Sequence, residues 1–185
     1  MKLTIFKPFF SAIILIVFTL LGCTDMFFDS PQPSWVTKNE KEIPKKFRGN
    51  YLSGNGQLNR THKEDDTIRI SEKRIYISEE YDFTLSDTVL LKSYKNEYFL
   101  NVYYSEVNVW RVIRVKEEKE NILVYMMYTT DSTRENQFNK ITDFRRIPQS
   151  SDEFPCYLIN PSSREFKKIL KGNLFNAGDT LVRIK

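Results

Sequence analysis

The chain has 185 residues, 28 of them basic and 24 acidic, with a formal net charge of +4, one histidine and two cysteines. That supply excludes a histidine-rich metal centre and a framework of several disulfides, and charges of both signs are interspersed as on an ordinary solvated surface. The basic excess is no argument for nucleic acid: without residues 1–22, which carry Lys2 and Lys7, the balance falls to +2.

Lys2 and Lys7 flank the start of an uncharged, almost wholly apolar run from Phe9 to Leu21. A spanning helix needs roughly 20 apolar residues, so this run is short for one and has the length of a signal-peptide core. It ends in Leu20-Leu21-Gly22-Cys23. The segment resembles the lipobox of bacterial lipoproteins, in which small residues precede an obligatory cysteine. That resemblance implies cleavage after Gly22, a diacylglycerol on the Cys23 sulfur, and the membrane as a partner of the mature chain. Thr24 follows the cysteine and Asp25 comes one place later. In the sorting pattern of such lipoproteins this favours the outer membrane, with the side of the membrane left open. An uncleaved anchor with an incidental cysteine is the alternative.

The chain then divides into a signal at 1–22, a flexible tether at 23–46 and a single β-rich domain at 47–185. Pro31, Pro33 and Pro44 punctuate the tether, and Lys38–Glu42 is a solvated charge run. A flexible stretch of about 20 residues spans roughly 25 Å on average. Phe27, Phe28 and Trp35 break its polarity, and either rest at the membrane interface or dock on the domain.

From Phe47 the pattern changes to short β-like runs between polar turns. Residues 47–52 lead into Gly54-Asn55-Gly56. Thr67–Ile70 and Arg74–Ser78 flank one turn, Thr88–Tyr94 and Glu97–Tyr104 flank Lys95-Asn96, and Val109–Lys116 and Asn121–Tyr128 flank residues 117–120. Such short connections predict an antiparallel meander. Arg111 shares a face with Val109, Ile113 and Val115, so it sits near an edge or reaches a carboxylate. One helix is predicted. Ser162 and Glu165 fit a capping box, Phe166, Ile169 and Leu170 form one apolar stripe, and Gly172 fits the C-terminal stop. The last strand, Thr180–Ile184, is then free to pair beside the first. The expected architecture is mainly β: an antiparallel meander forming a small barrel or curled sheet, with one C-terminal helix before the last strand. Phe47-Arg48-Gly49-Asn50-Tyr51, where Gly precedes an aromatic by two, resembles the opening of lipocalin-like barrels, with Tyr51 in the place of the expected Trp. Residues 86–128 resemble small lipoproteins of unknown function from Bacteroidota-type bacteria. That second resemblance carries no site.

The search for chemistry leaves no catalytic residue, no metal site and no cofactor. His62 would have to serve any Ser-His-Asp or Cys-His arrangement, and nothing brings Cys156 or a serine to it. Glu64, Asp65 and Asp66 beside it lack calcium-loop spacing. Gly54 and Gly56 lack the third glycine and following helix of a dinucleotide loop. Cys156, in the apolar stretch 154–159, reads as a small buried hydrophobe. The positive feature is aromatic: tyrosines, Phe99 and Trp110 on consecutive strands either pack a core or present a binding face, with Tyr98, Tyr104, Trp110 and Tyr125 as the candidates. The expected function is a membrane-anchored, non-catalytic module that binds a small apolar ligand or a glycan. The alternative is a protein that docks or inhibits an envelope partner.

Overall fold

The computed structural model describes residues 24–54, 67–79, 81–129, 132–147 and 156–184. Thirteen strands dominate: β1 (Thr24–Phe28), β2 (Gly49–Ser53), β3 (Thr67–Ile70), β4 (Arg74–Tyr76), β5 (Asp82–Thr84), β6 (Val89–Tyr94), β7 (Glu97–Tyr104), β8 (Val109–Glu118), β9 (Asn121–Met126), β10 (Tyr128–Thr129), β11 (Phe144–Ile147), β12 (Cys156–Ile159) and β13 (Asn176–Arg183). Among the described residues two helices accompany them, α1 (Ser132–Asn139) and α2 (Ser163–Lys171), with a 3-10 turn at Lys45–Phe47.

The expected hairpins form where the turns permit them. Lys95 and Asn96 both take positive φ, 50° and 64°, as a two-residue hairpin loop between twisted strands demands. β6 pairs with β7 from Val89↔Val102 to Tyr94↔Glu97, and β7 pairs with β8 from Tyr98↔Val115 to Tyr104↔Val109. β8 pairs in turn with β9. β13 lies between β9 and β2, so the last strand does sit beside the first strand of the curled portion. The order β6-β7-β8-β9-β13-β2-β3-β4-β5 makes up that curled portion, and the pairing does not close it into a barrel. The sheet is also not purely antiparallel. β1 runs parallel to β12, with Phe27 opposite Leu158, which makes the whole a mixed sheet. No local pattern encodes that pair, because its strands lie far apart in the chain.

The stretch expected to be a flexible tether is part of the fold from Thr24 onward. β1 pairs with β8, β10 and β12, and Met26, Phe27 and Phe28 are buried. Asp25 forms an ion pair with Arg111, which supplies the carboxylate partner that the position of Arg111 required. Beyond β1, the buried Gln32 clamps to β7. Its N–H donates to Asn101 Oδ1 at 2.6 Å, and Asn101 Nδ2 donates to Gln32 O at 2.9 Å. Lys92 Nζ donates to Pro33 O, and burial lowers the pKa of that lysine. Trp35 packs edge-on against Tyr94 and Phe166. Prolines and a charge run mark an irregular path, but apolar anchors along it, Phe27, Phe28, Trp35 and Ile43, pack into the hydrophobic clusters and hold it to the fold.

α2 has the predicted capping box: Ser162 N–H donates to Glu165 Oε2 at 2.7 Å, and Glu165 N–H donates to Ser162 Oγ. The Ser162 bonds hold the Glu165 carboxyl below the usual range. Phe166 and Ile169 point into the core. The left-handed residue that ends the helix is Asn173, φ 54°, while Gly172 keeps φ −76°. Asn tolerates that conformation nearly as well as Gly. Nothing in the sequence marks α1, because Phe138 is the one apolar residue in its eight and no apolar stripe runs along it.

Candidate functional site

The two faces of the central strands serve two cores. On β7, Phe99 and Asn101 face α2 and the N-terminal segment, while Tyr98, Leu100 and Val102 face into the curl. The inner face meets Ile113 and Val115 of β8, Ile122 and Val124 of β9, Leu181 of β13 and Ile68 of β3. These side chains border a partly open space that they do not fill. Among the described residues this cavity of about 100 Å³ is lined by apolar side chains and by Tyr98, the one ring there that carries a hydroxyl.

At the Gly49-Asn50-Tyr51 segment, β2, β13 and the 3-10 turn meet in one arrangement. Gly49 has φ 147°, and a Cβ there would fall 2.5 Å from Arg183 Nη1. Glycine therefore lets Arg183 lie against the backbone. The guanidinium donates to Arg48 O at 2.7 Å, to Lys46 O and to the Tyr51 hydroxyl, and covers the Tyr51 ring at 4.8 Å. Tyr51 is wholly buried and donates to Phe47 O at 2.9 Å. Burial raises the pKa of its hydroxyl against the pull of Arg183. Last strand, first curled strand and 3-10 turn are thus bolted together.

A strap formed by residues 38–47 covers the seam between β6 and the β3–β4 turn. Glu40 N–H donates to Leu91 O on β6 at 2.8 Å, and Ile43 N–H donates to Glu72 O at 2.7 Å. Ile43 and Phe47 project from this strap into the cavity lining. Phe47 meets Tyr98 edge-to-face at 5.0 Å.

The four aromatic candidates do not form one face. Tyr98 lines the cavity. Tyr104 is on the same side but further along, edge-on to Phe27 and beneath Arg111. Trp110 lies opposite Tyr103 and Tyr125 opposite Arg114, both on the other side of the sheet. Tyr125 is covered there by Arg114 and Lys116. Aromatic content alone does not distinguish the faces; only the strand register does. Sequence reasoning missed Leu100, Ile43 and Phe47. The alternation of β7 contains the signal for Leu100, but nothing local signals the other two.

Cys156 is buried beside Phe27, Val109 and Leu158, in keeping with its apolar surroundings. Gly22, Cys23, Gly56, His62, Glu64, Asp65 and Asp66 lie outside the described residues. Among the described residues no group of three or more His, Cys, Asp or Glu could hold a metal ion, and no helix is long and apolar enough to cross a membrane. Among the described residues the cavity lining is apolar side chains with the Tyr98 hydroxyl. No family model matches the chain, and no curated protein or solved structure matches it.

Proposed function

We propose that this chain is a non-catalytic, membrane-anchored module that binds a small apolar ligand inside a lipocalin-like curled sheet. The apolar cavity carries the reading. A ligand that fills the cavity of about 100 Å³ gains roughly 0.8 kcal/mol for each methylene removed from water. The lining offers almost no hydrogen-bonding groups, which favours an apolar ligand over a glycan. The lipocalin-like comparison draws support from Gly49-Asn50-Tyr51 and from the strand order of the curl.

Calorimetric titration of the mature chain with 1-butanol, a probe small enough for a space of about 100 Å³, tests the reading. Saturable one-to-one binding is expected. Leu100→Trp, which fills the cavity, abolishes binding and costs about 1–3 kcal/mol of stability through overpacking. Leu100→Ala, which enlarges the cavity, retains binding. Equal binding to the wild type and the Trp variant would eliminate the cavity as the site.

The anchor belongs to the same proposal. Lipid on Cys23 would adjoin β1 with no tether between, since Thr24 already lies in the strand. Two or three acyl chains hold far longer than one. Cys23→Ala is expected to abolish lipid labelling and move the protein out of the membrane fraction; labelling that persists refutes lipidation at this residue.

Docking of an envelope protein is the second reading. It rests on an outward apolar pair, Leu52 opposite Val182, 45% and 42% exposed, with Ile184 nearby. Photocrosslinking from position 182 in whole membranes that recovers only background would remove it.

A further inference from the structure

β1 and β12 run parallel and end side by side. In their last paired row Phe28 lies opposite Ile159, and Ile159 lies opposite Phe144 of β11. The next position along each strand is polar: Asp29 after β1, Asn160 after β12 and Asp143 before β11. The register therefore sets two carboxylates and a carboxamide along one rim of the sheet. Asp29 N–H donates to Ile159 O at 3.0 Å, which fixes the first of them there. Beyond the rim the two parallel chains part, one toward Pro31 and the other through Pro161 into α2. Chains that part at the carboxyl ends of neighbouring parallel strands leave a crevice. Here it is an open cleft of about 250 Å³ lined by Asp29, Asp143, Phe144, Arg145, Asn160 and the end of β12.

The polar side chains of this cleft are idle, unlike charged groups elsewhere in the fold. Arg111 is paired with Asp25, Arg74 with Asp82, and Arg114 and Lys116 with Glu97. The side chains of Asp29, Asp143, Arg145 and Asn160 are exposed and make no hydrogen bond or ion pair among the described residues. Arg145 shares the cleft with two carboxylates and bridges to neither. The carboxylates accept, the guanidinium donates and the carboxamide does both. Their common partner must give and take hydrogen bonds at several points, as a set of hydroxyls does. Phe144 adds an apolar surface beside them: its half-buried ring is held edge-on by Tyr157 at 4.6 Å. A sugar ring carries both features, hydroxyls around its rim and a C–H face that lies against an aromatic ring. The guanidinium disfavours a metal ion in the same cleft, and the two carboxylates disfavour an anion.

We propose that this cleft is a second binding site, for a neutral hexopyranose unit of a glycan. Asp29, Asp143 and Asn160 hold its hydroxyls, and Phe144 its C–H face. The site is separate from the apolar cavity, with which it shares no lining residue. It lies at the end of β1 away from Thr24.

Amide-resolved NMR titration of the mature chain with the methyl glycosides of glucose, galactose, mannose and N-acetylglucosamine tests the assignment, with L-leucine as a zwitterionic probe. At least one glycoside is expected to shift the signals of residues 143–145 and 160 saturably. Asp29→Ala and Asp143→Ala, both at exposed positions, each weaken that glycoside about tenfold, the scale of one hydrogen bond to a charged group. Neither moves the unfolding midpoint. Leu100→Trp, which fills the apolar cavity, leaves glycoside binding intact, so the two sites fail independently. No saturable shift with any glycoside, a shift that both Asp substitutions leave unchanged, or binding of leucine alone overturns the site.

Discussion

Replacing Phe166 with Ala lowers the stability of the domain by about 4 kcal/mol and its Tm by roughly 10 °C. Phe166 is fully buried and is the ring on which the outer core converges. Its centroid lies 5.9 Å from Phe28, 5.8 Å from Trp35, 5.8 Å from Phe99 and 6.1 Å from Phe175, each edge-on. These rings come from β1, the segment after it, β7 and the approach to β13, so one side chain fastens the N-terminal segment and α2 to the sheet. Edge-on ring pairs add about 0.5–1.5 kcal/mol beyond the area they bury. Truncation also leaves a void that rigid neighbours fill only in part. Leu52→Ala, on the exposed outer face, is the control and shifts stability by no more than about 0.5 kcal/mol. Denaturant unfolding of the three proteins measures both differences. A loss below about 1 kcal/mol for Phe166→Ala contradicts the packing of α2 and Trp35 described above.

Glu97→Gln destabilises the domain by about 3 kcal/mol at neutral pH, and the difference from wild type disappears in acid. Arg114 is almost wholly buried, and Glu97 receives its Nε and Nη2 at 2.8 Å each, with Lys116 Nζ at 2.8 Å on the same carboxylate. The Arg114 guanidinium lies over Tyr125 and Phe175, and its Nη1 has no hydrogen-bond partner among the described residues. Loss of the carboxylate therefore leaves a desolvated cation with nothing to balance it. Burial pushes the Glu97 pKa up, but the bonds and charges of Arg114 and Lys116 outweigh it, and the net shift is downward. A carboxyl whose folded-state pKa is depressed binds fewer protons in the native than in the unfolded state. Its stabilisation is fully present above the ordinary glutamate pKa of about 4.3 and is lost as pH falls through the lower folded value. Chemical unfolding of both proteins from pH 7 down to pH 3 reads this directly. A difference that grows as pH falls has the opposite sign and rules the ion pair out as its cause.

What the sequence disclosed was local. Lys95-Asn96 marks a hairpin because two consecutive polar residues there can adopt positive φ, and they do. Ser162 and Glu165 mark the start of α2 because each side chain satisfies a backbone N–H of the other residue. Arg111 announced a partner by interrupting an apolar face, although Asp25 could not be identified from spacing. The remainder depended on contacts between distant parts of the chain. β1 looks like a tether until β12 lies parallel beside it and β8 meets it at Trp110. The four aromatics read as one binding face separate once the register puts Tyr103 opposite Trp110 and Arg114 opposite Tyr125. The cavity was the least legible feature. Leu100, Ile68 and Ile122 look like core residues in any strand, and the space between them is a property of how far the sheet curls.

That space is also what the functional proposal depends on. Crystals of the mature chain held under xenon pressure test it most directly, because xenon enters dry apolar cavities and avoids filled or polar ones. A xenon peak enclosed by Leu100, Ile68, Ile122 and Phe47 is the predicted result, and Leu100→Trp removes it. A wild-type crystal with no peak there, its inner face packed solid, contradicts the account.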